Sequence, residues 1–178
     1  IYEAKALAKI APTLAAREAV STIAHEGVHQ ILANIGVEQR LSRWPMWLSE
    51  GMAEFFSPTS VDTRLHWGGA GGVNTLRMLE LDAYLRNRRK VDGSTVTVTV
   101  KAPRLTSTGY ATAWSITHYL AKNDRIQFHK YVKEVSRLGP LQRLTPEESL
   151  ALFVKYFGDD YEQMEMNIHR HLKTLAGQ

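Results

Sequence analysis

The sequence predicts a mainly α protein with one short β element, an α+β chain heavily weighted to helix. Three observations carry that expectation. Apolar residues recur three and four apart in most segments, as on the buried stripe of a helix. Those segments are bounded by helix start and stop residues, Pro and Thr ahead of them and Gly after. One run alone, Thr95-Val96-Thr97-Val98-Thr99-Val100, alternates strictly with the period of a strand. The 178 residues are predicted to form a single domain, 1–178, long enough to bury a substantial core.

The elements follow in order. The first dozen residues read as helical, and Pro12-Thr13 marks the start of a long helix from about Thr13 to Asn34. Leu14, Ala24, Val28, Ile31, Leu32 and Ile35 form its expected apolar face, and Gly36 its stop. Val37 to Arg43 is a polar connection. Trp44-Pro45 launches a second helix, because Pro suits a first turn and not an interior, and Ser57-Pro58 ends it. Thr59 to Val73 is a Gly-rich loop long enough to cover a cleft. Its His66 reads either as a substrate contact or as an ordinary loop histidine. Asn74 to Arg89 is helical, with Leu76, Leu79, Leu81 and Leu85 as expected core. Asp92-Gly93 is a turn, and the alternating run after it is expected to pair with the loop before it or with Lys101 to Leu105. Gly109 to Leu120 reads as a buried helix in which His118 is a partly buried, hydrogen-bonded histidine. A helix from Asp124 to Leu138 ends at Gly139-Pro140. Thr145-Pro146-Glu147-Glu148 starts another, with acids near its positive end, and Gly158 closes it. Asp159 opens a last helix reaching about Leu175, on which His169 and His171 are expected at the surface.

Composition narrows the function classes. The net charge of +4 is mild, and its densest run (Arg86, Arg88, Arg89, Lys90) falls at a predicted helix end, where cations favour the dipole. No aromatic residues interleave with it, so no nucleic-acid partner is expected. No stretch is long and apolar enough to make a transmembrane segment. The absence of cysteine rules out disulfides and thiolate metal sites. The first residue is Ile, so the chain reads as a piece excised from a longer precursor. The absence of cysteine fits either side of a membrane.

The chemistry-bearing stretch is His25-Glu26-Gly27-Val28-His29, an H-E-x-x-H pattern within the first long helix. Residues four apart share a helix face. His25 and His29 can therefore bring two imidazole nitrogens to one cation at the roughly 2.0–2.1 Å that zinc requires. Glu26, one position round, can reach a water on that metal without becoming a ligand, which is the place of a general base. A zinc site of this kind lacks one protein ligand.

About twenty residues later stands Trp47-Leu48-Ser49-Glu50-Gly51-Met52-Ala53-Glu54-Phe55-Phe56. Taken together, these residues resemble the gluzincin branch of the zinc metallopeptidases, the peptidase MA group that includes thermolysin and the aminopeptidase N family. The resemblance implies that Glu50 is the third metal ligand. It also implies that Glu54, one turn on, takes the outer N–H of a ligating imidazole, that of His25. A third match is Gly109-Tyr110-Ala111-Thr112-Ala113-Trp114, because aminopeptidase-type members carry a Tyr at the head of such a helix. Tyr110 is thereby implied to donate to the oxygen that becomes negative in the tetrahedral intermediate.

The resemblance thus implies a zincin-like helical subdomain, one catalytic Zn2+, and hydrolysis of a peptide bond in a peptide or protein substrate. Two features depart from the pattern. Few residues precede His25, so the upstream sheet that binds peptide by strand addition is expected to be reduced or missing. The motif that grips a free N-terminus is also absent, so nothing points to exopeptidase specificity. The closest overall look is to small bacterial peptidase-MA-like domains without an assigned function. Two rival readings keep the ligands. One is a non-catalytic zincin-derived module that binds zinc or a partner. The other replaces zinc by non-haem Fe(II), which two His and one carboxylate also suit, although an acid beside the first His favours zinc.

Overall fold

The computed structural model describes residues 20–58, 69–87 and 93–176. Among them are eight helices and no strand. Helix α1 covers residues 20–34 of the described chain. There follow α2 (Met46–Phe56), α3 (Thr75–Asn87), α4 (Thr95–Lys101), α5 (Ser107–Asn123), α6 (Arg125–Val135), α7 (Pro146–Phe157) and α8 (Tyr161–Ala176). The mainly α expectation holds. The expected helix starts at Pro45 and Thr145 hold too: Pro45 stands at the N-cap of α2, and Thr145 with Glu148 forms a reciprocal capping box on α7. Gly36 ends α1 with a φ of 74°, a left-handed conformation that costs glycine nothing.

Helix α5 is the hub. It packs against α2, α3, α4, α6 and α8, and its run from Ala111 to His118 is buried throughout. A helix buried on all sides needs small and aromatic residues in alternation, which Ala111, Ala113, Trp114 and Ile116 supply. Trp47 on α2 continues this core into an aromatic group with Tyr131 of α6 and Phe153 of α7, at ring separations of 5.5 Å from each. α2 and α5 approach so closely that a Cβ built on Gly51 would lie 2.2 Å from Thr117 Oγ1 and 2.7 Å from the Ala113 carbonyl oxygen. Glycine at this position is what brings α2 onto the central helix.

The expected strand is overturned: Thr95–Lys101 is helix α4. Ser94 caps it by accepting from the Thr97 N–H, and the Glu165 carboxylate of α8 accepts from the Ser94 and Thr95 hydroxyls at 2.6 and 2.8 Å and from the Thr95 N–H. An anion at the positive end of a short helix is favourable. The buried positions are Thr95, Val96, Thr99 and Val100, a helical face, whereas Val98 is 55% exposed. Alternating β-branched residues favour a strand only weakly, and the tertiary partner overrides them. No hairpin or strand therefore remains of the α+β expectation among the described residues.

Three assignments of buried faces also change. Ile31 and Ile35 are exposed, because among the described residues α1 meets the core through Val28 and Leu32. On α3 the face toward the core is set by Met78, Leu81 and Leu85, which leaves Leu76 and Leu79 outside it. His171 is only half exposed, and it is hydrogen-bonded to the buried His118 at 2.8 Å. His169 is exposed, as expected. The expected helix before Thr13, Leu14, the body of the Gly-rich loop with His66, and Arg88, Arg89 and Lys90 lie outside the described residues.

Candidate metal centre

α1 presents His25 and His29 one turn apart toward α2, held there by the burial of Val28 and Leu32 on the same side. α2 answers with Glu50, in its second turn. The three ligand-type atoms form a triangle. His25 Nε2 is 3.0 Å from Glu50 Oε2, His29 Nε2 is 3.6 Å from the same oxygen, and the two imidazole nitrogens are 3.3 Å apart. Tetrahedral ligands at about 2.0–2.1 Å from a zinc ion stand about 3.3 Å from one another. The sides of the triangle bracket that edge. His25, His29 and Glu50 thus form a group of donors that could hold one ion, and the residue types are those of a borderline divalent metal.

The electrostatics agree with the geometry. Burial pushes the His25 pKa down, but hydrogen bonds and charge from Glu50 and Glu54 outweigh it and raise the group to about 9. Burial likewise works against the Glu50 carboxylate, yet His25 and His29 hold it down at about 2. A field that binds a proton so firmly between these groups favours a cation in the same place.

Behind the His25 ring, Nδ1 faces Glu54 Oε1 at 3.4 Å. This is the contact that the resemblance implied. Glu54 is 4% exposed and fully engaged: Asn74 Nδ2 donates to it at 2.8 Å and Arg77 Nη2 at 2.7 Å. Its carboxyl is held below the usual range, since His25 and Arg77 together outweigh burial. Ser49 Oγ lies 3.5 Å from His29 Nδ1, at the limit of a hydrogen bond.

Tyr110, at the head of α5, lies beside the centre with its ring centroid 6.3 Å from that of His25. Burial first, then the Glu50 charge, push its phenol up, so it remains a donor at neutral pH. Tyr110 also lines the open cavity of about 550 Å3 onto which the centre faces, together with His25, Glu26, His29 and Glu50. Glu26 is exposed on that side. All six residues singled out from the sequence (His25, Glu26, His29, Glu50, Glu54 and Tyr110) therefore meet at one place.

Sequence reading missed Asn74 and Arg77. Arg77 stands in the first turn of α3, where a cation opposes the helix dipole. That mismatch is the signal that could have marked it. It is resolved by ion pairs with Glu54 and Glu80, each at 2.7 Å, and the guanidinium also sits 5.3 Å over the Tyr110 ring.

Fold and site together define a class: a mainly helical protein whose first two described helices bring two His and one Glu within reach of a single cation. The chain belongs to the DUF1570 family, described as a protein of unknown function, whose family model matches residues 19–142. The matched stretch contains every residue of the centre. No curated protein and no solved structure matches the chain. Among the described residues no helix is long and apolar enough to cross a membrane.

Proposed function

We propose that this protein is a zinc-dependent peptidase of the gluzincin type, hydrolysing a peptide bond in a peptide or protein substrate. The observation that carries the reading is the triangle of His25 Nε2, His29 Nε2 and Glu50 Oε2, with sides of 3.0, 3.3 and 3.6 Å. When bound there, a zinc ion supplies Lewis acidity, bringing the pKa of a water toward about 7 and polarising a substrate carbonyl. Glu26 accepts the proton of the attacking water and delivers it to the leaving amine. The Tyr110 O–H donates to the carbonyl oxygen as that atom gains negative charge, a contribution commonly worth about 3–4 kcal/mol of barrier. Glu54 fixes the tautomer and orientation of the His25 ring, so that Nε2 keeps its lone pair for the ion.

Metal analysis and proteolysis of an unfolded protein, with and without chelator, test the reading. One zinc per chain is expected, with a rise in melting temperature on zinc addition. Glu50→Gln loses the metal. Glu26→Gln keeps it and loses turnover. Full zinc occupancy with no cleavage of any unfolded substrate favours the non-catalytic module, and unchanged turnover in Glu26→Gln overturns the role of that carboxylate.

A further inference from the structure

A second cavity of about 550 Å3 adjoins the metal centre and shares three wall residues with it, Glu38, Ser42 and Ser49. The two form one trough, running from His25 and His29 past the start of α2 to the end of α4 and the start of α7. Its far wall carries Arg43, Arg143 and Lys101. Lys101 is paired with Glu147 at 3.1 Å. Neither arginine has an acidic partner among the described residues.

The two arginines are forced together. Arg43 and Arg143 face one another across an isolated parallel bridge, in which Arg43 N donates to the Gln142 carbonyl at 3.0 Å, and next to it Leu141 N donates to the Leu41 carbonyl at 2.8 Å. Bridged backbones lie about 4.7–4.9 Å apart, and like charges directly opposite one another are unfavourable. Two arginines without an acidic partner there, on the wall of a concave surface, supply positive charge at this end, while the Glu38 carboxylate lies on the wall shared with the metal centre.

We propose that this end of the trough is an anion subsite that holds carboxylate groups, either acidic side chains or a terminal carboxylate, of a peptide lying across the metal centre. Arg43 and Arg143 are its binding residues, through charge-assisted hydrogen bonds. The peptide's role as substrate rests on the peptidase reading, while the anion subsite itself does not.

Fluorescence anisotropy on the full chain tests this with three labelled peptides: a Glu-rich one with an amidated C-terminus, its Gln counterpart also amidated, and the Gln counterpart with a free C-terminus. Measurements run with chelator present, so that binding is read without turnover. The expected result is that one or both carboxylate-bearing peptides bind about tenfold or more tighter than the amidated Gln peptide at low salt, and which of them does so names the source of the carboxylate. That preference collapses in R43Q/R143Q and survives largely in R43K/R143K, which keeps the charge. The single variants R43Q and R143Q read the same difference if the double variant does not fold. Equal binding of all three peptides, or an unchanged preference in the Gln variants, overturns the proposal. Absence of peptide cleavage by the zinc-loaded protein overturns the peptidase reading and leaves the anion subsite standing.

Discussion

Arg77 Nη2 and Glu54 Oε1 form a 2.7 Å ion pair, and the same carboxylate oxygen lies 3.4 Å from Nδ1 of His25. One guanidinium on α3 thereby reaches the candidate metal centre through a carboxylate on α2 and an imidazole on α1. The pair is largely buried, with side-chain exposures of 19% and 6%. In such surroundings, removing one partner costs far more than the pair itself contributes.

Arg77→Met leaves the Glu54 charge buried with Asn74 and His25 alone. A loss of about 3 kcal/mol in unfolding free energy is expected, measured by chemical denaturation. Zinc affinity should fall about 10–100-fold in a chelator competition, because the acceptor behind His25 is no longer held. Arg77→Lys should recover part of both, since Lys restores the charge without the fork. Unchanged zinc affinity in Arg77→Met would show that Glu54 positions His25 unaided.

Gly51 is the point of closest approach between α2 and α5, and an added methyl meets a backbone carbonyl at 2.7 Å. Gly51→Ala cannot be absorbed by a side-chain rotation alone. Alanine's better helix propensity is worth about 1 kcal/mol. Overpacking costs about 1–3 kcal/mol and moves the backbone. The variant is expected to be less stable and to bind zinc more weakly, because Glu50 and Glu54 move with the helix. Calorimetric melting together with a zinc titration checks it, and an unchanged melting temperature would refute the close-packing account.

His118 makes stability depend on pH. Its Nε2–H donates to the Gly71 carbonyl at 3.3 Å, which leaves Nδ1 to accept from His171 Nε2–H at 2.8 Å, while His171 Nδ1 accepts from Asn123 at 3.2 Å. The network is complete only with both rings neutral. Burial, then the charge of His171, lower the His118 pKa to about 4 from an ordinary 6.5. The unfolded chain therefore binds the proton more tightly, and stability falls as pH drops from about 6.5 to about 4. The full loss is about 3 kcal/mol, from about 1.4 kcal/mol per unit of pKa. Denaturation at pH 7 and pH 4.5 should show this slope in the native chain and a shallower one in His118→Gln. Equal slopes would mean that other groups carry the acid sensitivity.

Much of the centre was legible before any coordinates. Helical periodicity ties residues four apart to one face, so His25 and His29 had to share a side of α1 once that segment was a helix. The order of the remaining motifs pointed to Glu50, Glu54 and Tyr110 only through the family resemblance, and the structure brings them to the same place. Arg77 offered only a mismatch with its helix dipole, and its partner Glu54 was not legible, because an ion pair between α3 and α2 leaves no pattern in the local sequence. Thr95–Val100 failed for the opposite reason. Its pattern was clear, but an anion from α8, 70 residues away, caps it as a helix. The exposed Ile31, Ile35, Leu76 and Leu79 show the same limit: periodicity identifies an apolar stripe, and packing decides which part of it is covered.

By itself, the amino-acid order determined the helical character, most helix boundaries and the register of the two histidines, because caps, Pro, Gly and the 3.6-residue turn act over a few neighbouring residues. Tertiary packing alone decided how near α2 comes to α1 and α5, that Asn74 and Arg77 hold the acid behind His25, that the alternating run is helical, and that two arginines a hundred residues apart share one wall. Such facts depend on close contact between distant segments, and that contact is set by the shape of the whole core.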